Sequence, residues 1–190
     1  MLKNYACTVK FDMNTVAKSV FLSDGGTQMI WVREEKPYPN HPERFESVAE
    51  VLCDKGLTRR HYWEVEWRGP WVDVAVAARV CRFGNTDESW CLYCFEDHYS
   101  ARHNHLSMEI PNPMSHSHRV EGYLDWPGGT LSFYSVSSGT LSHLYTFHST
   151  FTEPFYPGFA MQGHDCSVII CPARVSQLSR SASAERVDEF

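Results

Sequence analysis

Glu64 and Glu66 stand two apart in the run HYWEVEW (residues 61–67). On an extended strand they share one side, with Cα atoms roughly 6–7 Å apart. Paired carboxylates are the minimum equipment for glycoside hydrolysis, and Asp73 falls where a neighbouring strand would bring it close. Sandwich-fold glycosidases with this spacing carry a third acid on the same strand face, but here that position is Arg68. The residues favour a solvated face whose acids pair with Arg59, Arg60 or Arg68, each pair being worth little. Cys91-Leu92-Tyr93-Cys94 has C-x-x-C spacing, Cys166 and Cys171 form a second pair, and His103-Asn104-His105 and His116-Ser117-His118 add imidazoles. Zinc needs four converging ligands, whereas residues three or five apart on a strand point to opposite faces. Buried structural thiols and surface histidines are therefore expected, with no metal site and no cofactor. Histidines beside a binding face would make partner affinity change between about pH 6 and 7. The chain contains no G-x-S-x-G, no Walker loop and no G-x-G-x-x-G. No catalytic residue is assigned, and the chain is expected not to be an enzyme.

The 190 residues carry a net charge of −6 and are 43% hydrophobic and 14% aromatic. That composition suits one domain with its own core and excludes a wholly disordered chain. The aromatic excess leans towards strands and interfaces. Basic pairings are confined to Arg59-Arg60 and Arg79 with Arg82, and Arg119 stands alone. An acidic chain without a basic stripe argues against a nucleic-acid partner. No apolar run approaches the length of a membrane span, so no membrane partner is expected. The cysteines number 7, and the N-terminal run MLKNYACTVKF lacks the apolar stretch of a signal peptide. Free thiols in a reducing, cytoplasmic setting follow from both.

Short strand-like runs must position these residues, since no repeat and no sustained helical period occurs. Residues 61–67 place His61, Trp63, Val65 and Trp67 on one face, opposite Tyr62, Glu64 and Glu66. Residues 71–78 align Val72, Val74 and Val76. Residues 120–125 and 130–136 flank Trp126-Pro127-Gly128-Gly129, a hairpin turn with glycine where positive φ is needed. Residues 141–147, 155–161 and 166–171 follow as strands. This spacing predicts an all-β, two-sheet antiparallel sandwich. Residues 174–190 turn to Ser, Ala, Arg and Glu and are expected to be a disordered tail.

Several runs resemble the PRY–SPRY domains of tripartite-motif and NOD-like-receptor proteins of fish. Pro42-Glu43-Arg44-Phe45-Glu46-Ser47-Val48 and Val51-Leu52-Cys53, with Asp12-Met13-Asn14-Thr15-Val16-Ala17 before them, are similar to the PRY segment, taken as 1–55. The run 61–67 looks like the opening of the SPRY core, taken as 56–173. Tyr123-Leu124-Asp125-Trp126-Pro127-Gly128-Gly129 continuing to Tyr134 resembles its diagnostic hairpin, and 151–159 its closing segment. The resemblance implies a bent sandwich of about a dozen strands with the PRY segment packed on the core. It implies a non-catalytic module that binds a protein ligand. In tripartite-motif proteins that module is the substrate-recognition part of a ubiquitin ligase, and a role in innate immune sensing is a related implication. Secreted fish pore-forming toxins carry the same kind of domain in a structural role, which is the alternative, beside a lectin-like or glycosidase sandwich. The family usually has a longer run after Val74-Ala75-Val76-Ala77, with a basic turn, whereas here the connection 78–88 is short.

Residues 89–95 (SWCLYCF) are apolar on both faces. Trp90, Leu92 and Cys94 suffice for one core face, which leaves Tyr93 and Phe95 as candidate anchors on the other. The resemblance implies that these two positions line the ligand pocket. It adds the positions of Phe159, Arg79 and Met161. The loops expected to build the binding face are 33–42, 68–71, 79–88 and 97–113.

Overall fold

The computed structural model describes residues 5–111 and 117–172, so the expected tail 174–190 and His116 lie outside the described residues. Thirteen strands form among them: β1 (Val20–Leu22), β2 (Gln28–Trp31), β3 (Ala49–Leu52), β4 (Arg60–Arg68), β5 (Trp71–Ala77), β6 (Ser89–Phe95), β7 (Tyr99–His103), β8 (Leu106–Ile110), β9 (Arg119–Asp125), β10 (Thr130–Ser137), β11 (Thr140–His148), β12 (Tyr156–Met161) and β13 (Ser167–Ile170). They make an all-β sandwich of two antiparallel sheets. The seven-stranded sheet runs β1-β2-β13-β4-β9-β10-β11, and the six-stranded sheet runs β3-β12-β5-β6-β7-β8.

Alternation in β4 works as the sequence predicts. Trp63, Val65 and Trp67 are buried, with Trp67 fully so, and they face the second sheet. Gly122 sits opposite Trp63 in the register of β9 on β4. A Cβ there would lie 2.5 Å from the Trp63 ring, so the glycine makes room for the indole. The hairpin β9–β10 turns through Gly129 at φ +69, a conformation that glycine adopts without strain. Asp125 ends β9 by accepting the Gly128 N–H at 2.9 Å.

The N-terminal segment is divided between the sheets. Its β1 and β2 extend the larger sheet beyond β13, while β3 pairs with β12 at the edge of the smaller one. Residues from Val9 to Ile170 join a single buried cluster, so the two parts of the chain share one core.

The stretch 97–113, expected as a loop, instead contains the hairpin β7–β8. Its two-residue turn, Asn104-His105, has positive φ at both positions, 48° and 63°, the backbone that a tight hairpin requires. Four of the five β8 residues are exposed. An edge strand with little to bury shows no apolar alternation, so nothing in that run announces a strand.

Candidate recognition face

The register fixes which side chains share the outer face of the six-stranded sheet. Asp73 pairs with Tyr93, Trp71 with Phe95 and Ala75 with Cys91. Cys91 pairs with Arg102 and Tyr93 with Ser100. Glu50 lies across Ala160 from Asp73. A row of rings follows from this order. Trp71 lies 5.5 Å from Tyr93 and Tyr93 stacks on Phe95 at 6.1 Å. Phe95 is 5.0 Å from His98 in the turn after β6. Trp71, Tyr93 and Phe95 are each only partly buried.

Arg102 comes up from β7 and places its guanidinium 3.8 Å from the Tyr93 ring centroid, a cation–π contact. Asp73 forms the floor between Trp71 and Tyr93. It accepts the Trp71 indole N–H at 3.1 Å, which fixes the orientation of that ring. Asp73 is 7% exposed and Glu50 4% exposed. Among the described residues neither carboxylate joins an ion pair. Burial, resisted by the Trp71 bond and by Arg102, pushes the Asp73 carboxyl up to about 6. Burial, with the Asp73 charge beside it, pushes Glu50 up to about 7, against Arg82 and a backbone hydrogen bond from Phe83.

The short connection 78–88 lies across this same face and is tied down along its length. Gly84 donates to the Ser89 hydroxyl at 2.9 Å, and the backbone N–H groups of Asn104 and His105 bond to Thr86 and Gly84. Phe83 is buried against Phe45 at 5.6 Å. A Cβ at Gly158 would lie 2.5 Å from the Phe83 ring, so that glycine is the seat of the plug. The connection therefore crosses the sheet over Gly158, Cys91 and the base of Arg102 and leaves Trp71, Tyr93 and Phe95 partly open.

Not all of the expected site residues meet here. Tyr93, Phe95 and the expected loop residue Trp71 do. Phe159 and Met161 do not, and are corrected. Both are fully buried and pair in register with Val74 and Val72, so they project into the sandwich beside Leu92 and Cys94. Phe159 packs edge-on against Phe11 at 5.5 Å. An apolar β12 shows its alternation in sequence but not which face is the core. Arg79 is exposed and paired to Glu88 at the far end of the β5–β6 hairpin, away from Tyr93. Asp73 first attracted notice only as an acid near Glu64 and Glu66. The structure puts it on the opposite sheet from them. Arg102 and Glu50 carried no signal in the sequence, because their strands did not declare themselves.

A rigid two-sheet sandwich that presents half-open aromatic rings around desolvated charges has the anatomy of a protein-recognition module. The chain belongs to the SPRY-domain family, whose family model matches residues 60–174, and the SPRY-associated PRY model matches residues 9–57. It is 39% identical over 170 residues to neoverrucotoxin subunit alpha of Synanceia verrucosa, covering 83% of this chain and 24% of that protein. It is 33% identical over 169 residues to tripartite motif-containing protein 14 of Mus musculus, covering 83% of this chain and 38% of that protein. The chain thus spans between a quarter and two fifths of these relatives. Among solved structures, the stonustoxin structure superposes with a TM-score of 0.80 at 36% identity, over 88% of this chain and 29% of that one. The TRIM65 PSpry domain also superposes at 0.80, with 25% identity, over 90% of this chain and 92% of that one.

Proposed function

We propose that this domain captures a target protein through the outer face of its six-stranded sheet, without chemistry of its own. In this reading it serves in the cytoplasm as the substrate-recognition part of a ubiquitin ligase or of an innate immune sensor. The observation that carries the reading is the row Trp71, Tyr93, Phe95 and His98, partly open on a strand whose other face already supplies the core. Kinship with a tripartite-motif protein over 83% of the chain supports the parent class.

Proximity labelling or pull-down with the wild type beside Tyr93→Ala tests it. A partner retained by the wild type and lost from a Tyr93→Ala protein that melts within a few degrees of it supports the reading. A partner held equally by both proteins overturns this face.

A second reading is favoured by the higher identity to toxin subunits, 39–40% over most of the chain. Here the domain is a structural part of a toxin-like protein and packs against the rest of its own chain. The full-length gene separates the two: a RING or nucleotide-binding domain upstream supports the first, a perforin-like domain the second.

A further inference from the structure

The recognition face has one feature that a neutral aromatic patch would not need. Asp73 is desolvated at the floor of the ring row, and the donors that reach it there, the Trp71 indole and the Cys91 thiol, are both neutral. Burying a carboxylate without a counter-ion is costly. The charged and titratable groups that face it are Glu50 from β3, Arg82 from the 78–88 connection, Cys91 and Tyr93 from β6, and Arg102 from β7. The two arginines act on it from a distance and form no ion pair with it. Glu50 adds a second buried carboxyl. Further out, Glu96 and Asp97 form the turn after Phe95, and Glu109 continues the row Asp73–Tyr93–Ser100 onto β8. The rim is therefore acidic beyond Arg102.

The rings themselves suit a cation. Arg102 already lies over Tyr93 at 3.8 Å, which shows that this surface accepts a guanidinium in a stacked position. Trp71 is the strongest cation–π acceptor of the row, and among the described residues it holds no cation.

We propose that the guest on this face is a basic side chain, arginine or lysine, of an extended partner segment, stacked on Trp71 with its charge directed at Asp73. The inference rests on the capture reading above and adds the chemistry of what is captured. A cationic guest favours the ionised carboxylate. Binding therefore strengthens as pH rises through the range in which Asp73 and Glu50 ionise, and weakens below it.

The test is a titration of the isotope-labelled chain followed at the Trp71 indole N–H resonance. The probes are the acetylated, amidated peptides Gly-Arg-Gly-Arg-Gly, Gly-Gln-Gly-Gln-Gly and Gly-Glu-Gly-Glu-Gly. The arginine peptide is expected to shift the resonance saturably, about 10-fold or more tighter than the glutamine peptide, with no response to the glutamate peptide. Asp73→Asn, which keeps the oxygen that holds Trp71, is expected to weaken the arginine peptide about fivefold or more, as is lowering the pH from 7.5 to 5.5. Trp71→Phe, followed instead at the Tyr93 backbone amide resonance, is expected to weaken it without removing a charge. Glu43→Gln, an exposed charge in the N-terminal segment, is expected to change nothing. Equal binding of the three peptides, no binding by any, unchanged binding by Asp73→Asn, or an equal loss in Glu43→Gln overturns the cationic guest. A target protein captured in a Tyr93-dependent way without dependence on its arginines or lysines overturns this inference alone and leaves the capture reading standing.

Discussion

The two outer faces of the sandwich use the same residue types to opposite ends. On the seven-stranded sheet, Glu64 and Glu66 flank Arg119, with the guanidinium 3.0 Å from Glu64 and 4.0 Å from Glu66. The Tyr62 hydroxyl donates to Glu64 at 3.2 Å. The chain supplies its own counter-charge to these two carboxylates. On the six-stranded sheet, Glu50 and Asp73 are more deeply buried and have no ion pair among the described residues. A carboxylate neutralised within the chain holds structure together. One left uncompensated lowers stability and keeps its charge available to something outside. The contrast separates the pair of acids that first suggests catalysis from the pair that marks a recognition face.

The largest effect bounds the comparison from inside. Phe159→Ala, on the inner face, is expected to cost roughly 3–5 kcal/mol, seen as a large loss of melting temperature. Tyr93→Ala, two strands away on the outer face, is expected to cost about 1 kcal/mol, mostly its contact with Arg102. Equal losses would erase the distinction between core and recognition face.

Glu50 tests whether the six-stranded face is strained by charge. Burial pushes its carboxyl up to about 7 in the folded state, against an ordinary glutamate value of 4.5. The folded state thus binds more protons than the unfolded state, and stability falls as pH rises between those values. Glu50→Gln is expected to stabilise the domain by roughly 2–3 kcal/mol at pH 7.5 and to leave it little changed at pH 4. Denaturant unfolding at both values checks this, and a Glu50→Gln protein less stable at pH 7.5 would break the comparison. Asp73→Asn should act in the same direction and to a similar extent, since its carboxyl is pushed from an ordinary 3.8 up to about 6.

Arg119 tests the other face. Arg119→Met leaves Glu64, only 12% exposed at its side chain, without its cation. The expected loss is about 1–3 kcal/mol. No loss would mean that the two faces differ less than their geometry states. The smallest effect is expected from Arg102→Lys, which keeps the charge and loses the planar stack on Tyr93. A shift of about 0.5–1 kcal/mol or less, with a changed Tyr93 ring environment by NMR, would sharpen how that face is held.

Much of this arrangement is legible before folding. The alternation of 61–67 separates Trp63, Val65 and Trp67 from Tyr62, Glu64 and Glu66. The doubled apolarity of 89–95 marks β6 as a strand with two occupied faces. The hairpin around Gly129 follows from turn chemistry. Three things were hidden. The strand β8 leaves four of its five residues exposed and β7 offers only Tyr99 and Ala101 as apolar residues, so the sequence places Arg102 in a loop. Phe159 and Met161 alternate correctly with Gly158 and Ala160, yet parity alone does not say which member of an apolar strand points inward. The short connection 78–88 gave no sign that Phe83 would seat on Gly158.

The sequence by itself determined the fold class, the family and the residues that share each strand face, because those depend on local periodicity and on turn and motif residues close together in the chain. Only the tertiary structure decided that Glu50, Asp73, Trp71, Tyr93 and Arg102 form one surface. Their strands lie far apart in sequence and meet through sheet order and register. The charges of Asp73 and Glu50 likewise became significant only through burial, since desolvation belongs to the packed environment and not to the residue type.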